Sequence, residues 1–187
     1  MRLYSSGRSI GEGKLRSDVS REHAVRGYDS FYRAELPGVL ACLYSLTGGW
    51  PLSEDLAQEA FLRSYGRWSE VSGLDRPDAW VRRVALNLAA SRFRRLAAEA
   101  RALVRLSGHT NIIGVERLAE DDERFWSAVR RLPRRQAQVV ALHYGDDRTI
   151  SDVAEILGCA EGTVKAHLHS ARKTLTALLA ADQGGLS

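Results

Sequence analysis

The feature that most constrains this chain lies near its C-terminus, where Gly158 and Cys159 separate two helical patterns. In the second pattern, apolar residues keep helical spacing at Val164, Leu168, Ala171, Leu175 and Leu178. This narrow stripe predicts a helix that packs along one face and leaves its other faces exposed. A short helix, a glycine-containing turn and a second helix are typical of a helix-turn-helix, whose second helix enters the major groove of DNA.

The free face of this second helix is rich in hydrogen-bond donors and poor in acids. Its candidate DNA-contacting residues are Thr163, Lys165, Ala166, His167, Ser170, Arg172 and Lys173. A basic helix face is often only solvated, so this stretch taken alone is also compatible with a purely structural helix pair. His167 and His169 point in different directions on a helix and have no third ligand at suitable spacing, so no metal site is predicted.

The rest of the chain predicts an all-α fold of two small helical domains joined by a flexible linker, since no segment shows sustained strand alternation. A chain of 187 residues can form one domain or two small ones. The predicted parts are a disordered N-terminal arm (1–22), a first helical domain (23–96), the linker (97–118) and a second helical domain (119–182).

Positive charge is concentrated on one predicted helix of the first domain and at the start of the linker that follows it. This helix opens with Pro77 and Asp78 and turns Trp80, Val81, Val84, Leu88 and Ala89 inward. Between Arg82 and Arg105 the chain has seven arginines and a single acid, Glu99. The net charge of +4 is only a mild indication of a polyanionic partner, but this local concentration is a stronger one.

Cysteine content and hydropathy predict the compartment. Cys42 and Cys159 are far apart and form no CxxC pair, which is typical of buried thiols in a reducing compartment. The chain shows no signal-peptide pattern and no apolar segment near the ~20 residues of a membrane span. We therefore expect a cytoplasmic protein that does not insert into membranes.

Two stretches resemble the domains of bacterial extracytoplasmic-function (ECF) sigma factors, the two-domain branch of the main sigma family. The stretch that resembles sigma domain two reads "EDLAQEAFLRSYGRW" followed by "RPDAWVRRVALNLAASRFRR". The stretch that resembles sigma domain four reads "VRRLPRRQAQVVALHYGDDRTISDVAEILGCAEGTVKAHLHSARKTL". Together they cover most of residues 27–180 in the expected order. The resemblance implies a protein that binds core RNA polymerase, directs it to minus-10 and minus-35 promoter elements and promotes initiation.

The resemblance also implies roles for individual residues of the first domain. The positions that match polymerase-binding residues are Asp55, Gln58, Glu59 and Arg63. Those that match minus-10 DNA-binding residues, including a loop that captures a flipped base, are Trp68, Ser69, Ser72, Asp75, Arg76, Arg82, Arg83, Asn87, Arg92 and Arg95. Two of these assignments have structural alternatives, because Trp68 also suits a core position and the first-turn acids also suit a helix dipole.

The chain departs from the family pattern at a few positions. Ser91 stands where the family often has an acid, which bears on the detailed minus-10 geometry. Ala166, His167 and Ser170 occupy positions where arginine and serine are frequent. Since arginine makes the commonest bidentate contact to guanine, these residues predict an altered or more shape-dependent minus-35 preference.

Partners and alternative functions complete the sequence-based expectations. By resemblance, the expected partners are core RNA polymerase, promoter DNA and an anti-sigma factor, and no cofactor is expected. A stand-alone helix-turn-helix regulator would explain residues 120–180 but would leave the first domain without a role. An enzyme is disfavoured because the sequence contains no Ser/His/Asp layout, metal cluster or nucleotide loop.

Overall fold

The computed structural model describes residues 10–107 and 120–184, and all regular structure within these ranges is helical. The predicted all-α class is therefore confirmed. The helices are α1 (Ile10–Thr47), α2 (Trp50–Gly66), α3 (Trp68–Val71), α4 (Pro77–Ser107), α5 (Glu120–Arg130), α6 (Arg134–Val140), a π-helical turn (Ala141–Gly145), α7 (Ile150–Leu157) and α8 (Glu161–Gly184). Among these helices, none combines the length and the hydropathy that a membrane span would need.

The first domain, α1 to α4, packs α1, α2 and α4 around one apolar core that includes Val39, Leu43, Phe61, Val81 and Ala85. All the residues of α4 predicted to turn inward belong to this core or pack against it. α2 begins at Trp50, because a proline in its first turn is compatible with a helix start.

Ser53 precedes two acids, Glu54 and Asp55, a pattern that predicts an N-cap at Ser53, but the N-cap of α2 is Gly49 and Ser53 does not cap the helix. It lies inside the first turn and is completely buried. Its hydroxyl donates to the carbonyl oxygen of Gly49 at 2.8 Å and lies 2.7 Å from the hydroxyl of Thr47. Ser53 thus joins the end of α1 to the start of α2.

Two predicted boundaries differ from the structure. α1 begins at Ile10, within the segment predicted as an arm, and α4 continues to Ser107, within the predicted linker. Once a helix has nucleated, each added residue forms a further hydrogen bond, so an existing helix extends through residues of ordinary propensity. The rest of the predicted arm (1–9) and of the predicted linker (108–118) lies outside the described residues.

The second domain, α5 to α8, forms around the predicted stripe of α8. Val164, Leu168, Ala171 and Leu175 are buried there, and Leu178 packs against the same core. The π-helical turn was not predicted. It follows α6 directly and ends where the backbone N–H of Asp146 donates to the carbonyl of Ala141 at 3.1 Å.

α4 contacts the cores of both domains. One face lies on α1 and α2, whereas Ala79 and Leu86 on another face join the core of the second domain. Cys42 and Leu46 of α1 join that second core as well. The two domains are therefore docked through continuous apolar packing.

Candidate nucleic-acid interface

The helix-turn-helix is held by defined caps at both ends of α7. The Thr149 hydroxyl accepts from the backbone N–H of Asp152 at 3.1 Å, and the Asp152 carboxylate accepts from the backbone N–H of Thr149 at 3.2 Å. This reciprocal pair is a capping box. At the other end, Gly158 has φ of +64°, a conformation that glycine adopts without strain. These caps set the direction in which α8 leaves the turn.

Loss of the Thr149 cap gives a direct test of this geometry. Thr149→Ala should lower the free energy of unfolding by about 1 kcal/mol, because the backbone N–H of Asp152 loses its acceptor. Ser151→Ala, an exposed substitution in the same turn, should change it by less than about 0.5 kcal/mol. Urea denaturation measures both values, and equal losses would contradict the capping role.

The structure brings the candidate minus-35 residues together on the outer face of α8. His167 is half-buried, and the other members of the set are exposed. Lys165 pairs with Glu161 at 3.8 Å, and its side chain is 62% exposed, so its ammonium group remains accessible. Arg172 donates to the Tyr144 hydroxyl at 2.7 Å. Tyr144 is 47% exposed and extends this surface, although no sequence pattern indicated it.

The candidate polymerase-binding residues share the exposed face of α2. Asp55, Gln58, Glu59 and Arg63 are all exposed, and Arg63 donates to Glu59 at 2.9 Å. Leu62 and Tyr65 are 64% and 52% exposed. They continue the same face, because Leu62 follows Glu59 by three residues and Tyr65 follows Leu62 by three. The helical spacing of Tyr65 from Phe61 predicts an inward position, but the Tyr65 ring lies at the edge of the core and contacts Tyr28. Exposed apolar groups beside charges are typical of a surface that binds a protein.

The candidate minus-10 residues do not form one surface. Ser69, Ser72 and Asp75 are exposed around α3. Trp68, which lies in the loop matched to flipped-base capture, is half-buried, and its ring centroid lies 5.3 Å from that of Tyr28 and 5.0 Å from that of Phe31. These contacts are compatible with the core alternative, and the accessible part of the ring leaves base contact as a prediction.

Three further members of this set contact the second domain. Arg82 is 1% exposed, and its Nε donates to Asp146 at 2.5 Å. Arg76 donates to Asp152 at 2.7 Å and to Glu155 at 2.8 Å. In this docked arrangement the Arg82 side chain is not accessible to DNA. The Arg82 guanidinium is surrounded by groups of both domains and not by solvent.

Arg83, the third of these arginines, is exposed but also contacts the second domain. Its guanidinium donates to the backbone carbonyls of Glu155 at 2.7 Å and Ile156 at 3.0 Å. These carbonyls lie in the last turn of α7, where a cation also interacts favourably with the helix dipole. Arg83 therefore completes the contact of α4 with α7.

The outer part of α4 leaves other candidates accessible. Asn87 and Arg95 are exposed and Arg92 is half-buried. Burial lowers the pKa of Arg134, and the neighbouring cations Arg135 and Arg94 lower it further. Arg94 lies on this same part of α4. Repulsion among these cations favours an anionic partner at this surface.

Ionisation of the interdomain groups follows from their contacts. Hydrogen bonds from the Thr149 hydroxyl and from Arg76 lower the pKa of Asp152 to about 2, so its carboxylate is charged at neutral pH. Burial raises the pKa of the Cys42 thiol, and the nearby Asp146 carboxylate raises it further. Cys42 therefore stays protonated. Among the described residues, no group of His, Cys, Asp and Glu side chains is arranged to hold a metal ion.

Comparison with protein families matches both domains. Sigma-70 region 2 matches residues 31–99, and sigma-70 region 4 matches residues 122–175. The sigma factor SigW of Bacillus subtilis is 29% identical over 145 residues, which cover 71% of this chain and 78% of SigW. The RNA polymerase sigma-E factor of Streptomyces coelicolor is 30% identical over 119 residues, which cover 64% of this chain and 67% of that protein.

Solved structures show the same fold. The sigma factor RpoE, solved in complex with the anti-sigma factor NepR from Bartonella quintana, aligns with a TM-score of 0.69 at 24% identity. That alignment covers 84% of this chain and 99% of RpoE. CnrH, solved in complex with the cytosolic domain of CnrY, aligns with a TM-score of 0.57 at 23% identity and covers 84% and 90% of the two chains. With a region 2 domain followed by a region 4 domain and relatives of this kind, the chain belongs to the ECF RNA polymerase sigma factors.

Proposed function

We propose that this sigma factor divides its work among three surfaces. The exposed face of α2 binds core polymerase, the outer face of α8 reads the minus-35 element, and the α3 region with outer α4 binds minus-10 DNA. The observation that carries this proposal is the separation of the polymerase and minus-35 candidates onto two different exposed helix faces. The matched ranges, 31–99 and 122–175, support the domain limits 23–96 and 119–182.

The chain itself is a non-enzymatic polymerase subunit, as sigma factors are. Transcription with purified components tests its promoter-directing function. Sigma-free core enzyme plus this protein should start RNA at a restricted set of sites on genomic DNA. Core enzyme alone should not, and the 5′ ends of the transcripts identify the promoters. RNA ends that do not depend on the added chain would contradict the proposal, and tight operator binding without polymerase would favour a stand-alone regulator.

Lys165 tests the assignment of the minus-35 surface. Lys165→Ala should reduce discrimination between minus-35 sequences by about 1–3 kcal/mol, because a donor to a base edge is lost. Binding to core polymerase should not change, since Lys165 lies on α8, away from α2. Promoter-variant competition measures the first effect and core pull-down the second. Thr176→Ala, an exposed substitution further along α8, is the matched control, and loss of core binding by Lys165→Ala would contradict the assignment.

Arg92 and Arg95 test the phosphate-binding role of outer α4. Replacing both with alanine should reduce the slope of log affinity against log salt by about 1–2, because two phosphate neutralisations are removed. Arg33→Ala, which removes an exposed arginine from α1, should leave the slope unchanged. Titrations of polymerase holoenzyme on promoter DNA from low to high salt give the slopes. An unchanged slope in the double variant would refute phosphate contact.

We also propose a cytoplasmic location and regulation by an anti-sigma protein. The location follows from the need to meet polymerase. The regulation is supported by the solved relatives, since RpoE and CnrH were captured with NepR and with the cytosolic domain of CnrY. Affinity purification from the native host should recover such a protein, and recovery of polymerase alone under all growth conditions would count against it.

A further inference from the structure

A cleft of about 400 Å³ lies between α4 and the helices α5 and α6. Most of its walls are apolar, and they include Leu46, Leu86, Phe93, Leu132 and Ala137. Phe93 is 38% exposed, so part of this apolar wall is open to solvent. A cleft of this size with mainly apolar walls is typical of sites that bind small organic molecules.

A second cleft, of about 220 Å³, adjoins the first one. The residues that line both clefts are Leu86, Arg134 and Gln138. The walls of the second cleft are more polar, since Asn87 and Arg135 also contribute to them. An apolar cleft that continues into a polar one fits a ligand that has an apolar body and a polar head.

The charged side chains in these walls are all cations. They are the arginines Arg83, Arg94, Arg130, Arg134 and Arg135, and no acid among the described residues lines either cleft. Burial lowers the pKa of Arg134, and the neighbouring cations Arg135 and Arg94 lower it further. Guanidinium groups bind carboxylates and phosphates through charge-assisted hydrogen bonds. The polar head of a matching ligand is therefore an anion.

Arg130 adds a buried hydrogen-bond donor that lacks an acceptor. Its side chain is 17% exposed, and its Nη2 atom pairs with Glu123. Its Nη1 atom is buried, and within the described part of the chain no group accepts a hydrogen bond from it. A buried donor without an acceptor is unfavourable, and such atoms are uncommon in folded proteins. Because Arg130 lines the apolar cleft, a bound ligand can supply the missing acceptor.

From the walls and charges of these two clefts we infer that they form a binding site for a small amphipathic anion, whose chain lies among the apolar residues and whose head lies on the arginines. At about 30 Å³ for a water-sized group, the larger cleft holds roughly a dozen such groups, which is the size of a ten-carbon fatty acid. The polar backbone of a DNA strand could contact the arginines but would not cover the apolar walls. Because the walls come from both domains, the ligand contacts both at once.

Decanoate, a ten-carbon fatty acid, tests the site directly on the full chain. Isothermal titration calorimetry below its micelle concentration should show saturable binding of one equivalent. Decanol has the same chain without the charge and should bind at least ~tenfold more weakly, because the charge-assisted hydrogen bonds are lost. In methyl NMR spectra, decanoate should shift the signals of Leu86 and Leu132 but not the signal of Leu62, which is exposed on α2.

A pair of variants on α4 tests the position of the chain. Ala97→Leu places a larger side chain in the wall of the apolar cleft and should weaken decanoate binding at least ~tenfold. Ala98→Leu makes the same change at the adjacent position, outside the lining, and should change the affinity by less than ~twofold. Both positions are exposed and leucine is a good helix former, so both variants should fold.

A second pair tests the position of the anionic head. Arg134→Gln should weaken decanoate binding about tenfold and leave the weaker binding of decanol unchanged, because only the charged head contacts this arginine. Arg131→Gln removes an exposed arginine outside both clefts and is the matched control.

Several results would overturn the site. They are absence of saturable decanoate binding, equal affinities for decanoate and decanol, and equal losses in Ala97→Leu and Ala98→Leu. Single-stranded DNA that shifts the Leu86 and Leu132 signals when decanoate does not would assign the clefts to nucleic acid instead. Binding to phosphatidylglycerol vesicles without binding of free decanoate would assign them to a membrane surface. The test needs neither polymerase nor promoter, so its outcome is independent of the proposed function.

Discussion

Arg82→Met is expected to weaken the docking of the two domains by about 3–5 kcal/mol, because Asp146 then retains a buried charge without its main partner. The Asp146 side chain is 1% exposed, so little water compensates for the lost hydrogen bonds. The penalty cannot exceed the free energy of docking, since separation of the domains returns Asp146 to solvent. We therefore expect the domains to separate before either one unfolds.

Hydrogen exchange and urea denaturation measure this result. In Arg82→Met, the backbone amides of α6 and of the π-helical turn should lose more protection against hydrogen exchange than the amides of α2. Arg83→Met is the matched control, because it removes a neighbouring exposed arginine that donates to backbone carbonyls. This variant should lose about 1 kcal/mol of docking free energy. Equal protection in both variants would contradict the central position of Arg82.

A double variant separates the interaction from the side chain. Replacing a buried ion pair by apolar residues of similar volume is often neutral or stabilising. Arg82→Met with Asp146→Leu should therefore recover part of the docking free energy that Arg82→Met loses. If the double variant loses as much docking free energy as the two single variants together, Arg82 and Asp146 do not interact in solution.

The helices of both domains could largely be predicted from the sequence, because their apolar spacing is local information. The stripe of α8 was predicted residue by residue, and burial of Val164 and Leu168 confirms it. Thr149 and Ser151 both stand next to the start of the apolar pattern of α7, so the sequence predicts a cap at one of the two. The structure shows the capping box at Thr149.

The docking of the domains could not be predicted in this way, since its partners are far apart in sequence. Arg82 and Asp146 are separated by 64 residues, and Arg76 and Asp152 by 76. In the sequence, Arg82 is one member of an arginine-rich run and resembles its exposed neighbours. One local signal was present, because Ala79 and Leu86 place apolar side chains on a second face of α4. A helix with two apolar faces must pack on both sides.

The candidate site was only partly predictable for a related reason. Family resemblance identifies positions but does not show what surrounds a side chain in this chain. Trp68 occupies a position that matches the flipped-base loop, yet its ring also packs against Tyr28 and Phe31. Tyr65 fits an inward pattern by spacing, yet half of it is exposed at the end of the face proposed to bind polymerase. For an aromatic residue at the edge of a core, the neighbouring sequence does not show whether the ring packs inside the protein or binds a partner.

Phe61→Ala is expected to lower the free energy of unfolding by about 3–5 kcal/mol, because it removes a large side chain from a core that cannot fully collapse. Phe61 is 2% exposed, and its ring contacts the rings of Phe31 and Tyr32 at centroid distances of 6.0 and 4.8 Å. Urea denaturation measures this loss of unfolding free energy.

Leu62→Ala separates this stability effect from polymerase binding. Leu62 is the adjacent residue of α2 and is 64% exposed, so its truncation should change the unfolding free energy by less than about 0.5 kcal/mol. It lies, however, on the face with Asp55 and Glu59, so its truncation should weaken binding to core polymerase. At a temperature where Phe61→Ala remains mostly folded, that variant should bind core nearly normally. The opposite pattern, with stability lost in Leu62→Ala and binding lost in folded Phe61→Ala, would mean that the two faces of α2 have been exchanged.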